Sequence, residues 1–200
     1  MGYLVIDTET SGLFDFSKPA DAPGQPRLAA LAAARLADPD DPEPEYHRHM
    51  IRPDGWAMDP EAERINNLST ERLMAEGVPI RDVLEWYSAA ILRGDVIVAY
   101  NAQFDTKIMR AELRRAGMPD LFTQTPNICV MKGMKAIMGG WRYPKLSIAA
   151  RHAGFDLKDA HDPTADVEAA VAIFRYLHRA DALPPPTVKY AKRRPAQAAG

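Results

Sequence analysis

The chain is short of cysteine, of excess basic charge and of long apolar runs. Its single cysteine, Cys129, excludes an internal disulfide framework and a cysteine-rich zinc site. It fits a reducing compartment. Lysine and arginine number 25 against 27 aspartates and glutamates, a formal net charge of −2. No global basic field is therefore present to grip long duplex nucleic acid non-specifically. An enzyme that holds one strand end through bound cations stays open, because the cations bring their own positive charge. No apolar run approaches the roughly 20 residues of a membrane-spanning helix. The opening segment lacks the basic start, apolar run and cleavage site of a signal peptide. These absences predict a cytoplasmic protein with no membrane partner.

What is present is ordinary for a globular chain: of 200 residues, 46% are hydrophobic and 26% charged. That length suits one domain with a real core. Tyr3 to Ile6 reads as a buried strand ending at Asp7. Thr8 to Pro26, rich in Gly, Pro, Ser and Asp, reads as loop. Leu28 to Leu36 is ambiguous, since its alanines favour helix and its length suits helix or strand. Tyr46 to Ile51 is a short strand candidate. Two short helices follow, Asp59 to Asn67 and Ser69 to Glu76, with Asp59 and Ser69 as N-caps and Pro60 at a first helical position. A helical period runs from Ile80 to Arg93 and stops at Gly94. Val96 to Tyr100 is a strong buried strand, followed by a helix from about Phe104 to Ala116. Lys145 to Ala153 and Pro163 to His178 are the last helices, the second with Val167, Val171, Phe174 and Leu177 on one face. Three prolines and a basic tail follow, predicted to be poorly ordered. The alternation predicts α/β architecture with helices covering a mixed sheet.

Three fragments carry chemistry. Asp7 and Glu9 are two apart, so both project from the same side of a strand. Two such carboxylates repel unless a cation neutralises them, and hard oxygen ligands suit Mg²⁺ or Mn²⁺. Taken alone, a pattern as short as D-x-E reads first as a solvated turn, with Asp7 capping whatever follows. Asp105 follows the strongest strand, where ligand sites of open α/β sheets gather; alone, it also reads as a favourable charge at a helix N-terminus. His161-Asp162-Pro163-Thr164-Ala165-Asp166 places a histidine before a capped helix and a carboxylate one turn inside it; alone, His161 also reads as a surface residue.

Together, the three fragments give a specific resemblance. V-I-D-T-E-T-S-G-L at Val5 to Leu13, A-Y-N-A-Q-F-D at Ala99 to Asp105 and H-D-P-T-A-D at His161 to Asp166 resemble the DEDDh 3′→5′ exonucleases. That family includes the proofreading subunit of bacterial DNA polymerase III, ribonuclease T and oligoribonuclease. The likeness covers about residues 3–178. It implies a ribonuclease H-like, three-layer α/β fold with a mixed five-stranded sheet and helices on both faces. It also implies that Leu28 to Leu36 is a strand, because tertiary context overrides propensity. Residues 1–180 would form the exonuclease domain and 181–200 a Pro-rich basic tail.

The resemblance further implies two divalent cations, Mg²⁺ or Mn²⁺, held by Asp7, Glu9, Asp105 and Asp166. Asp7 would bridge both, Glu9 and Asp166 would complete the tighter site, and Asp105 would hold the second. His161 would take a proton from the attacking water, near the pH where an imidazole titrates. Thr8, Thr10, Ser11, Gly12, Leu13, Asn101 and Phe104 would meet the terminal nucleotide, with Leu13 wedged against its base. Leu13 and Phe104 read equally as core packing. The expected substrate is a single-stranded 3′ end, DNA in preference to RNA, with a DNA polymerase as a possible partner. Asn66-Asn67 departs from the His-Gly pair common in relatives. Lys107, Arg110, Arg114 and Arg115 form a basic helix face, by default a solvated surface. Lys189, Lys192, Arg193 and Arg194 in the tail would be a solubilising end or phosphate contacts.

Two other readings compete. A binding subunit that had lost catalysis is disfavoured by the full set of five catalytic positions. An all-helical HD-type metal phosphohydrolase, prompted by His161-Asp162, is disfavoured by the Val96 to Tyr100 strand.

Overall fold

The computed structural model describes residues 2–121, 125–158 and 162–188. The helical segments are α1 (Pro60–Asn66), α2 (Thr70–Glu76), α3 (Ile80–Leu92), α4 (Ala102–Arg115), α5 (Val130–Met138), α6 (Leu146–His152) and α7 (Pro163–Arg179). The strands are β1 (Tyr3–Thr10), β2 (Leu28–Leu36), β3 (Glu45–Met50), β4 (Val96–Ala99) and β5 (Asn127–Cys129). They form one five-stranded sheet in the order β3-β2-β1-β4-β5. β3, β2 and β1 pair antiparallel, while β1, β4 and β5 pair parallel. The expected mixed sheet is present.

The side-chain alternation of β1 sorts the core into two layers. Leu4 and Ile6 pack with Val83, Leu84 and Tyr87 of α3 and Ile108, Met109 and Leu113 of α4. Val5 packs the other way, with Val167, Val171, Phe174 and Leu177 of α7 and with Met134 of α5. The helix face read from the sequence is therefore the buried face of α7. β2 is a strand along its whole length despite five alanines. It lies between β1 and β3 and bonds to both, so two ladders outweigh a weak helix preference. Ala32 and Ala34 face the α7 layer, where small side chains let the helix approach closely.

β1 is longer than the sequence predicts. It runs through Asp7 to Thr10 because β2 continues to pair there, Asp7 opposite Ala32 and Glu9 opposite Ala30, with a bulge between Glu9 and Thr10. The loop therefore begins at Ser11. β5 and α5 were not visible in local patterning, since three residues of strand carry little periodicity and α5 follows without a turn. Both N-caps of the short helices are as expected: Asp59 accepts from the Glu61 amide and Ser69 from the Arg72 amide. Among the described residues, no helix is long and apolar enough to cross a membrane.

Candidate metal centre and active site

The site forms where β4 ends and β1 does not. β4 pairs with β1 only as far as Ile6 beside Ala99. Beyond that point β1 carries Asp7 and Glu9 past the end of its parallel neighbour. Their side chains leave the sheet on the α7 side, and Asp166 comes down to meet them from the first turn of α7. Ligand atoms of Asp7, Glu9 and Asp166 all lie within 4.8 Å of one another. The start of α7 is fixed by Asp162, whose Oδ1 accepts from the Thr164 and Ala165 amides at 3.0 and 3.2 Å. Its Oδ2 accepts from Arg48 of β3 at 3.1 Å.

Asp105 approaches from the opposite layer. It sits in the first turn of α4 and is 4% exposed. Its Oδ1 accepts from both the amide and the hydroxyl of Thr8, at 3.1 and 2.8 Å. Thr8 lies between Asp7 and Glu9 but points to the other face, so it pins the fourth carboxylate against the strand bearing the first two. Asp105 therefore serves the strand end rather than merely complementing its own helix dipole. His161 lies outside the described residues.

The electrostatics follow from crowding acids in a partly dry place. Burial, then the charges of Asp105, Glu9 and Asp166, push the Asp7 carboxyl well above the usual range. Burial and then Asp166 raise Glu9 to about 7, opposed by a hydrogen bond from Asn66. Burial raises Asp105 to about 7, opposed by the hydrogen bonds of Thr8. Acids this reluctant to ionise together call for positive charge between them. Oxygen-only ligands of this kind fit hard divalent cations, with Asp7, Glu9 and Asp166 as the clustered donors and Asp105 beside them.

A cleft of about 440 Å³ opens next to Glu9, lined by Thr8, Thr10, Gly12, Leu13, Ile65, Asn66 and Phe104 among others. Leu13 is 87% exposed, so core packing is excluded for it. Phe104 lies at the core edge and meets Phe14 edge-on at 5.8 Å. Thr10 donates its hydroxyl to Gly12 O at 2.8 Å, and Ser11 Oγ accepts from the Arg27 amide at 2.9 Å. Those two hydroxyls shape the loop. Ser11 lines a neighbouring cleft and Asn101 a separate groove. A Cβ on Gly12 would meet only Asp59 Cβ, at an ordinary 3.6 Å. The fold itself does not demand glycine there.

Asn66 is a participant that sequence reasoning flagged only as a departure. It is 5% exposed, donates Nδ2 to Thr10 O at 3.3 Å and accepts from the Leu68 amide at 3.2 Å. Together with its bond to Glu9 this makes it a buttress of the strand end. Asn67 adopts φ 57° and ψ 31°, a left-handed C-cap of the kind glycine most readily supplies. The basic face of α4 is mostly structural. Arg110 pairs with Asp120 at 2.8 Å, Arg114 with Asp120 and Asp21, and Arg115 with Glu112 at 2.7 Å. The tail residues Lys189, Lys192, Arg193 and Arg194 lie outside the described residues.

This sheet order, with acids at the strand end between two helical layers, defines a ribonuclease H-like nuclease domain. A family model described as "Exonuclease" matches residues 4–174, and the chain belongs to that family, the DnaQ-like DEDDh exonucleases. Among curated proteins it is similar to ribonuclease T of Haemophilus influenzae strain PittEE, 26% identical over 186 residues, covering 87% of this chain and 78% of that one. Ribonuclease T of strain Rd is 25% identical with the same coverage. Among solved structures, the zinc-bound E. coli exonuclease I complex with single-stranded DNA superposes with a TM-score of 0.73 at 22% identity. It covers 90% of this chain, which spans 40% of the length of that one. A 3′-exonuclease solved in recognition of a histone mRNA stem-loop gives a TM-score of 0.72 at 13% identity, covering 92% and 84% of the two chains.

Proposed function

We propose that the chain removes nucleoside monophosphates from the 3′ end of single-stranded nucleic acid, DNA in preference to RNA, using Mg²⁺ or Mn²⁺. The observation that carries this is the meeting of Asp7 and Glu9 of β1 with the sequence-distant Asp166 of α7, their ligand atoms within 4.8 Å of one another. Bound cations would supply positive charge to the attacking and leaving oxygens of the scissile phosphate. The carboxylates of Asp7, Glu9 and Asp166 would hold them, with Asp105 completing the set from α4. In the reaction, a water oxygen bonds to phosphorus and the bond to the O3′ of the preceding nucleotide breaks. His161 takes the proton of that water, and the departing O3′ takes one from solvent. Leu13 meets the terminal base from the loop, and Thr8, Thr10, Gly12 and Phe104 complete its surroundings, while Ser11 and Asn101 line the adjoining spaces.

The preference for DNA draws support from the superposition on exonuclease I bound to single-stranded DNA. A second reading, trimming of RNA 3′ ends, is favoured by the ribonuclease T relatives. A DNA polymerase partner and a cytoplasmic location belong to the proofreading version of the proposal. The test is digestion of 5′-labelled DNA and RNA oligomers with Mg²⁺, Mn²⁺ or chelator, comparing wild type with Asp7→Ala. Stepwise shortening of DNA that Asp7→Ala and chelator abolish is the expected result. Faster shortening of RNA selects the second reading, and intact oligomers under all conditions overturn both.

A further inference from the structure

Phe104 forms one wall of the cleft beside Glu9. That ring also lines a second groove of about 470 Å³, whose walls include Phe16, Asn101, Gln103 and Lys107. The two spaces therefore share Phe104 as a common wall. Phe16 is 78% exposed, so its ring is open to a stacking partner. It is not on a slack loop. Buried Gln25 spans the loop from within, donating to Asp15 O at 2.7 Å and Pro19 O at 3.1 Å and accepting from the Asp15 amide at 3.0 Å. Arg115 adds a bond to Ala20 O at 2.8 Å.

Lys107 lies two residues beyond Asp105. Its ammonium stands 4.2 Å from the Phe16 ring centroid and 4.3 Å from that of Phe14. Among the described residues it has no carboxylate within ion-pair distance, unlike Arg110 and Arg114 on the same wall. A solvent-facing aromatic ring with a cation over it that has no carboxylate partner is a pairing that holds single strands: the ring stacks any base and the charge meets phosphate.

We infer that this groove is the subsite for the nucleotide immediately 5′ of the one in the Glu9 cleft, its base stacked on Phe16 and its phosphate toward Lys107. The inference rests on the exonuclease reading, which requires a nucleotide on each side of the scissile bond, and assigns Phe16 and Lys107 to the second of them. Because stacking reads the face of a base and not its edge, the subsite is tolerant of sequence.

The experiment is competition by unlabelled oligodeoxythymidylates, one to five nucleotides long, against a fluorescent decamer. Ca²⁺ is the cation, and chromatography verifies that the oligomers stay intact. For wild type, the second nucleotide should raise affinity about 5- to 150-fold, the range for one base stacked on an aromatic ring. In Phe16→Ala that step should fall below about twofold, and Phe16→Trp should restore it. Lys107→Gln should flatten the dependence of log affinity on log salt by about 0.7, one phosphate of a single strand. An unchanged step in Phe16→Ala, or a Phe16→Trp that behaves like Phe16→Ala, overturns the subsite. Hydrolysis of the decamer by wild type with Mn²⁺, run in parallel, judges the exonuclease reading separately.

Discussion

Thr8 donates two hydrogen bonds to one oxygen of Asp105, from its amide at 3.1 Å and its hydroxyl at 2.8 Å. Through this pair the α4 layer is tied to the strand that bears Asp7 and Glu9. Thr8→Val keeps the shape and the amide bond but removes the hydroxyl. Partners that orient ligands in this way commonly govern ligation about 10- to 100-fold. Thr8→Val should therefore raise the Mn²⁺ concentration for half-maximal hydrolysis by about that factor. Saturating Mn²⁺ should restore much of the rate. Metal titration of the hydrolysis rate measures both.

The crowded acids make the metal-free protein sensitive to pH in an unusual direction. Glu9 and Asp105 titrate near 7 in the fold, against ordinary values of 4.5 and 3.8. Between those limits the folded state holds protons that the unfolded chain has lost. Rising pH therefore removes stability through this window, and the full contribution is present only below it. Divalent cations need the ionised acids, so they should stabilise more as pH rises. Melting in chelator should show Tm falling from about pH 5 to about pH 7.5, with a widening gap to the Mn²⁺-loaded protein. Asp105→Asn should flatten the metal-free slope; a slope left as steep would exclude Asp105 as a source.

Glu112 is 1% exposed and gathers Arg27 at 2.8 and 3.0 Å, Arg115 at 2.7 Å and the Leu28 amide at 3.2 Å. It ties α4 to the beginning of β2. Glu112→Ala leaves two guanidinium groups without their carboxylate. The expected loss is about 3 kcal/mol, at the low end for a broken buried pair because Arg27 is a quarter exposed. Urea denaturation measures it, and Arg27→Ala with Glu112→Ala should cost less than the sum of the single changes.

Asn67 holds a left-handed conformation at φ 57°. Asparagine tolerates that region better than residues lacking a short polar side chain. Asn67→Ala should cost about 1 kcal/mol, or about 2–4 °C in Tm for a chain of this size. Asn67→Gly should stay within about 0.5 kcal/mol of wild type. Thermal melting of the two variants side by side checks the difference.

Much of the architecture could be read locally where periodicity and punctuation agree. The capped starts at Asp59 and Ser69 and the apolar face of α7 needed no neighbour to be seen. Leu28 to Leu36 did need neighbours: its alanines point to helix, and only ladders on both sides make it β2. The three motifs placed the candidate acids, but not that three share one face of the sheet while Asp105 comes round from the other. The role of Asn66 was also invisible, since a buried amide late in a short helix looks like any surface asparagine until Thr10 and Glu9 are beside it.

By itself, then, the order of residues determined the capped and strongly periodic elements and the identity of the acids. Hydrogen-bond caps and side-chain period act over a few residues and leave their mark in the sequence. Only the tertiary structure decided that β4 stops beside Ile6, leaving Asp7 and Glu9 room beyond it, and that Phe16 and Lys107 line one groove together. Those facts depend on where separate strands and helices end relative to one another, which packing of the whole sheet sets and no short stretch encodes.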